Sequence, residues 1–163
     1  SEITMLLATV FLQPSNVALL SGDIYDAVDS HPRVELAAPL AYGDSFGGAP
    51  VLGSTAEFAR YLAEDRIDGA MFASIEEAVV GAAVDLEIGD RFEPAHGHGD
   101  AAEYGVHGIT LTVTGRMAAT GTPWDRAILV PVEQVWDAHG MPTGHAPDAP
   151  GLGPPFDPAH RRS

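Results

Sequence analysis

His96, His98 and His107 fall within the run His-Gly-His-Gly-Asp-Ala-Ala-Glu-Tyr-Gly-Val-His, and His139 comes later, one residue before Gly140. Imidazole is the commonest transition-metal ligand, and three or four imidazoles with a carboxylate suit Zn2+. Asp100 and Glu103 supply carboxylates in the same run. Ligation needs neutral imidazoles, so such a site would empty as the pH drops below about 6. The spacing His-x-His…His is no formal metal motif, and a solvated glycine-rich loop accounts for the same residues. Metal site and plain loop both stand at this point. No cofactor is required, and zinc is the one these residues suit.

Other residue groups carry less chemistry. Trp124-Asp125-Arg126 sets a carboxylate beside a guanidinium, which reads as an ion pair or turn hydrogen bonds fixing a turn, with Trp124 packed. Serine, histidine and aspartate are all present, but no G-x-S-x-G elbow occurs, so no catalytic residue is assigned and the chain reads as a non-enzyme. Gly47-Gly48-Ala49-Pro50 is not a phosphate loop, because Pro50 lacks an amide donor and no G-x-G-x-x-G surrounds it.

Charge narrows the partners. The net charge is −15 over 163 residues, and every fixed positive charge is arginine. Such a chain repels phosphate backbones and anionic membrane surfaces, so nucleic acid is excluded as a partner. Without lysine there is no Walker A lysine and no pyridoxal Schiff base, so any ATP must be hydrolysed by another chain. Without cysteine there is no thiol catalysis, disulfide or thiolate metal site. Residues 57 to 103 hold twelve acids against three arginines, which reads as a solvated face. The longest apolar run, Met5 to Leu12, is far below the ~20 residues of a membrane span.

The elements that must position these groups follow from periodicity. Ala127 to Val132 is an apolar run that suits a buried strand, with Pro131 at its end. From Val132 the period becomes helical: Val132, Val135, Trp136 and His139 share a face. Ile109 to Gly115 alternates apolar residues with threonine and predicts a half-buried strand. Ile3 to Gln13 reads as a strand, Ser21 as the cap of a helix that Pro32 ends, and Val34 to Leu40 as a strand. Gly43 to Pro50 reads as a glycine-rich link. Ser54 begins a capping box with Glu57, and Phe58, Tyr61 and Leu62 form the face of the helix it starts. Asp65 to Gly69 reads as a turn, Ala78 to Val80 as a strand followed by a clipped helix, and Arg91 to Ala95 as a strand. Residues Ser74 to Leu86 also admit one continuous helix. Met141 to Ser163 has six prolines and no periodicity, and reads as a linker or tail.

Several of these stretches resemble one family in order and spacing. They are Pro39-Leu40-Ala41-Tyr42-Gly43-Asp44 after a His31-Pro32 step, and Glu77-Ala78-Val79-Val80-Gly81 followed by Leu86-Glu87-Ile88-Gly89-Asp90. The last is Thr120-Gly121-Thr122-Pro123-Trp124-Asp125-Arg126 with Val132-Glu133-Gln134-Val135-Trp136 and His139. Together they resemble the extracytoplasmic core domain of MacB/FtsX-like ABC transporter permeases over roughly residues 1 to 140. The resemblance implies an α+β fold of two small subdomains. Residues 1–50 and 106–140 would form a porter-like part, residues 51–105 a Sabre-like α/β insert, and residues 141–163 a Pro-rich linker or tail. It implies a soluble loop domain between two membrane helices, on the periplasmic side of the cell membrane. It also implies a mechanotransmitter whose partners are a separate cytoplasmic ABC ATPase, a second permease copy in a homodimer, and an envelope partner protein. His96 and His139 occupy positions where the resembled subgroup carries histidine, which bears on the alternative of an envelope zinc-binding domain for metal uptake or sensing.

Overall fold

The computed structural model describes residues 8–12, 22–95 and 109–138. The fold is α+β. Seven strands form one mixed sheet: β1 (Ala41–Phe46), β2 (Ala49–Ser54), β3 (Ile67–Gly69), β4 (Glu77–Val80), β5 (Arg91–Phe92), β6 (Leu111–Met117) and β7 (Ile128–Pro131). Three helices are described, α1 (Gly22–Asp29), α2 (Ala56–Leu62) and α3 (Val132–Ala138), with a 3-10 turn over Pro123–Arg126. The sheet order is β1-β2-β7-β4-β6-β3, and β5 also pairs with β6. Strands β2 and β7 run parallel, as do β4 and β6, and the other pairings are antiparallel.

The centre of the sheet is buried on both faces. Strands β7 and β4 are short runs of Val, Ile, Leu and Ala, as expected where apolar layers cover both sides. One layer gathers Val51, Ala78, Val80, Leu111, Val113, Ile128, Val130 and Val135. The other gathers Leu52, Ala59, Phe72, Val79, Met117, Trp124 and Leu129. Alternate residues of one strand thus enter opposite layers: Ile128 and Val130 one, Leu129 the other.

Several expectations are corrected. Gly43 to Pro50 is not a link but the β1–β2 hairpin. Phe46 pairs with Ala49 across Gly47-Gly48, both at positive φ, which is the two-residue loop that matches strand twist. The boundary placed after residue 50 falls inside β2, and strands from both segments lie side by side in the one sheet. Ala8 and Thr9 are helical rather than extended. Residues 34–40 form no strand; the strand comes later, at β1. The cap of α2 is Thr55, whose Oγ1 accepts from the Phe58 N–H at 3.1 Å. Ser54 instead donates to the Pro39 carbonyl at 2.8 Å, because its β2 position turns it into the interior. Tyr61 is exposed and Ala59 takes its place on the buried face of α2. Residues 67–69 form β3, since the antiparallel edge of β6 accepts them despite their polarity. Arg91 to Ala95 reduces to two strand residues plus a bridge from Ala95 to Ser45.

Candidate functional site

The four candidate metal ligands, His96, His98, His107 and His139, lie outside the described residues. The chain leading into them is described. Ala95 is held on β1 by two backbone hydrogen bonds with Ser45, at 2.9 and 3.2 Å. Helix α3, which precedes His139, packs on β1, β2 and β7. Strand β1 therefore anchors both approaches. Among the described residues no three His, Cys, Asp or Glu side chains are placed to share a metal ion.

The sheet centre brings together the stretches that recur as motifs. Val79 and Val80 of Glu77–Gly81 pair with Leu129 and Ile128. The ladder continues beyond the strands: the Gly81 N–H donates to Ala127 at 2.9 Å and the Ala83 N–H to Asp125 at 2.7 Å. A side chain at Gly81 would run into the backbone of Trp124 and Asp125, so only glycine permits this approach. Trp124 is buried and meets Phe58 edge-on, with ring centroids 5.3 Å apart.

Asp125 closes the turn. Its Oδ1 accepts from the Thr120 N–H at 2.7 Å and the Thr120 hydroxyl at 2.8 Å, and its Oδ2 from the Gly121 N–H at 2.9 Å. Desolvation pushes this carboxyl up. The hydrogen bonds from Thr120 and Gly121 and the nearby Arg126 charge outweigh it and hold the group below its ordinary value. Asp125 is thus a turn lock, made by hydrogen bonds rather than by a direct ion pair with Arg126.

Arg116 ties the neighbouring stretch down. Its Nη1 donates to the carbonyls of Gly81, Ala82 and Val84 at 3.3, 3.2 and 3.1 Å, and its Nη2 donates to Leu86. Glu87 stands 3.9 Å away, largely in solvent. The Gly81 carbonyl also accepts from the Val84 N–H at 3.1 Å, whereas for the carbonyls of Ala82, Val84 and Leu86 the guanidinium is the donor found among the described residues. Within Leu86–Asp90, the Gly89 N–H donates to Val113 at 2.8 Å and Asp90 accepts from the Glu87 N–H at 2.8 Å.

Helix α3 completes the arrangement. Its Val132 and Val135 rest on glycines of the hairpin. A Cβ at Gly53 would come within 2.8 Å of Val135 Cγ2 and 2.9 Å of Val132 Cα, and one at Gly43 within 3.3 Å of Val135 Cγ2. Glu133 follows Val132 and is 3 % exposed; among the described residues only its own backbone N–H is near enough to ease the charge, and no other group hydrogen-bonds to the carboxylate. Burial pushes its carboxyl up to about 7. Sequence reading missed Glu133 because the helical period sets it off the Val132–Val135–Trp136 face, and missed Arg116 because strand alternation sets it with the threonines.

Comparison with protein families, with curated proteins and with solved structures finds no match to this chain.

Proposed function

We propose that this chain is the extracytoplasmic domain of an ABC transporter permease of the MacB/FtsX type. A separate cytoplasmic ATPase would supply the energy, and the domain would pass the resulting movement to a substrate or partner outside the membrane. The permease would act as a homodimer, with an envelope protein as a further partner. One observation carries this reading. The stretches that resemble that family are far apart in sequence, yet they pack as one unit in which their characteristic residues hold backbone to backbone. Gly81 admits the turn, Asp125 locks it, and Gly43 and Gly53 seat α3. Residues spent in this way build a stiff body, which is what force transmission requires, rather than a reaction centre.

The 163 residues hold no cysteine, so a thiol introduced among them can be followed against the unsubstituted gene product as the labelling blank. Ile88→Cys and Tyr61→Cys place thiols at exposed positions. Both are expected to react with a membrane-impermeant maleimide in intact cells, and the protein to co-purify with an ABC ATPase. Labelling only after lysis would sink the proposal.

A second reading, zinc binding, rests on β1 holding both Ala95 and α3, the described approaches to His96 and His139. Calorimetric titration with zinc at neutral pH is expected to give saturable binding that a His96→Ala, His98→Ala, His107→Ala variant loses. Equal heats for the two proteins would remove this reading and leave the first untouched.

A further inference from the structure

Glu133 stands apart from every other carboxylate described. It is buried, no other described residue hydrogen-bonds to its oxygens, and it sits in the first turn of a helix packed on three strands. The charged and titratable groups of those elements are few. Strand β1 contributes Asp44 and the Tyr42 phenol, β2 and β7 contribute none, and α3 itself adds Asp137. Tyr42 belongs to the opposite layer, with Leu52 and Trp124, and donates to the Ala8 carbonyl. No arginine or histidine lies on any of these elements. An ionised Glu133 therefore has no cation on them to answer it.

The helix is already seated as closely as the strands beneath it allow. Gly53 and Gly43 already bring the strands against Val132 and Val135, so α3 cannot sink further toward the sheet. Val132, Glu133, Gln134 and Val135 are all buried, so water reaches the carboxylate only if the packing around α3 opens. We propose that α3 is a proton-operated latch, docked on β1 and β2 while Glu133 is protonated and released from them when Glu133 ionises. This inference is independent of the transporter reading, since it concerns only the seating of α3.

The sign follows from linkage. Burial raises the Glu133 carboxyl from 4.5 to about 7. The docked form therefore holds a proton that the open form gives up between those values, so docking is firmest on the acid side and weakens as pH rises through 7.

Hydrogen exchange of the whole chain, corrected for intrinsic rates, tests this between pH 5.5 and 8.5. Protection of the α3 amides is expected to fall by about thirtyfold over that interval. In Glu133→Gln it should stay level. Identical pH profiles for the two proteins, or a loss of protection spread evenly over β4, β6 and β7, would overturn the proposal. Should Glu133→Gln fail to fold, the side-chain carboxyl 13C titration of the unaltered protein decides. A midpoint near 7 upholds the latch and one near 4.5 removes it.

Discussion

Arg116 on β6 and Glu133 on α3 are ionisable side chains packed against the same sheet, from opposite ends of the problem. The guanidinium reaches four carbonyls of residues 81–87 and keeps one edge toward Glu87 and solvent. The carboxylate is sealed in, and no other described residue hydrogen-bonds to its oxygens. Burying a charge is costly in both places, and only at Arg116 do hydrogen bonds offset the lost hydration. Arg116 is held by its carbonyls and acts as a permanent fastener. Glu133 relieves its cost by keeping a proton, which makes its region responsive to pH. What separates a fastener from a switch here is the supply of partners, not the depth of burial.

The largest expected effect comes from breaking the satisfied member of the pair. Arg116→Met keeps the length and apolar stem but strips the Ala82, Val84 and Leu86 carbonyls of their donor and leaves Gly81 with the Val84 N–H alone. Hydrogen bonds to charged groups each contribute more than neutral ones, and carbonyls left without donors add to the loss, so a cost of about 4 kcal/mol is expected. Arg116→Lys should recover only about half, because an ammonium cannot span the fan of carbonyls that the planar fork reaches. Urea unfolding followed through the fluorescence of buried Trp124 measures both. A loss below about 1 kcal/mol would mean that water replaces the guanidinium and that the two regions differ less than their geometry implies.

Glu133→Gln sharpens the contrast from the other side. It should stabilise the protein by up to ~3 kcal/mol at pH 8.5, where the native chain must either bear a buried ionised carboxylate or give up the docking of α3. The gain should shrink as the pH falls, because protonated glutamic acid and glutamine bury alike. Asp125 has the opposite sign. Its carboxyl is held below the ordinary value, so its contribution is present at neutral pH and lost as pH falls through that lowered value. Unfolding curves at a series of pH values would separate the two groups, since only the alkaline limb should vanish in Glu133→Gln.

Much of this architecture was legible in the sequence, and the unread parts have definite causes. The run Ala127–Val132 and the change to helical period at Val132 placed β7 and α3 within a residue of where they lie. Alternation placed β6. Alternation could not reveal the bulge at Thr114, where Ala78 pairs with Val113 but Val79 pairs with Gly115. That extra residue exchanges the two faces beyond it. Arg116 thereby joins the side of Val80 and the 81–87 segment, while Met117 enters the other layer. Ser54 reads as the cap from its spacing to Glu57, and the register of β2, which turns Ser54 inward, is what leaves that role to Thr55. Strand β3 was unreadable because three residues, two of them polar or glycine, are held by an open edge rather than by their own pattern. Glu133 gave a misleading signal: a glutamate in the first helical turn ordinarily faces solvent and favours the helix dipole.

The smallest effect concerns a third kind of charge, the exposed pair. Arg66 lies 3.3 Å from Glu64, with side chains 60 % and 78 % exposed. A pair so open to solvent contributes little, since water screens it and two long side chains must be held in place. Glu64 also has φ of 50°, in the left-handed region that disfavours a residue with a Cβ by roughly 1 kcal/mol. Glu64→Gly removes the ion pair and relieves that backbone cost together. Part of the relief is cancelled because glycine gives the unfolded chain more freedom. The balance should be a gain of about 0.5 kcal/mol, insensitive to pH between 6 and 9 and to added salt. A loss of 1 kcal/mol that disappears at high salt would show that charge at this surface is worth as much as a buried hydrogen bond. The division into fastener, switch and inert pair would then have to be drawn by geometry of contact instead of by access to water.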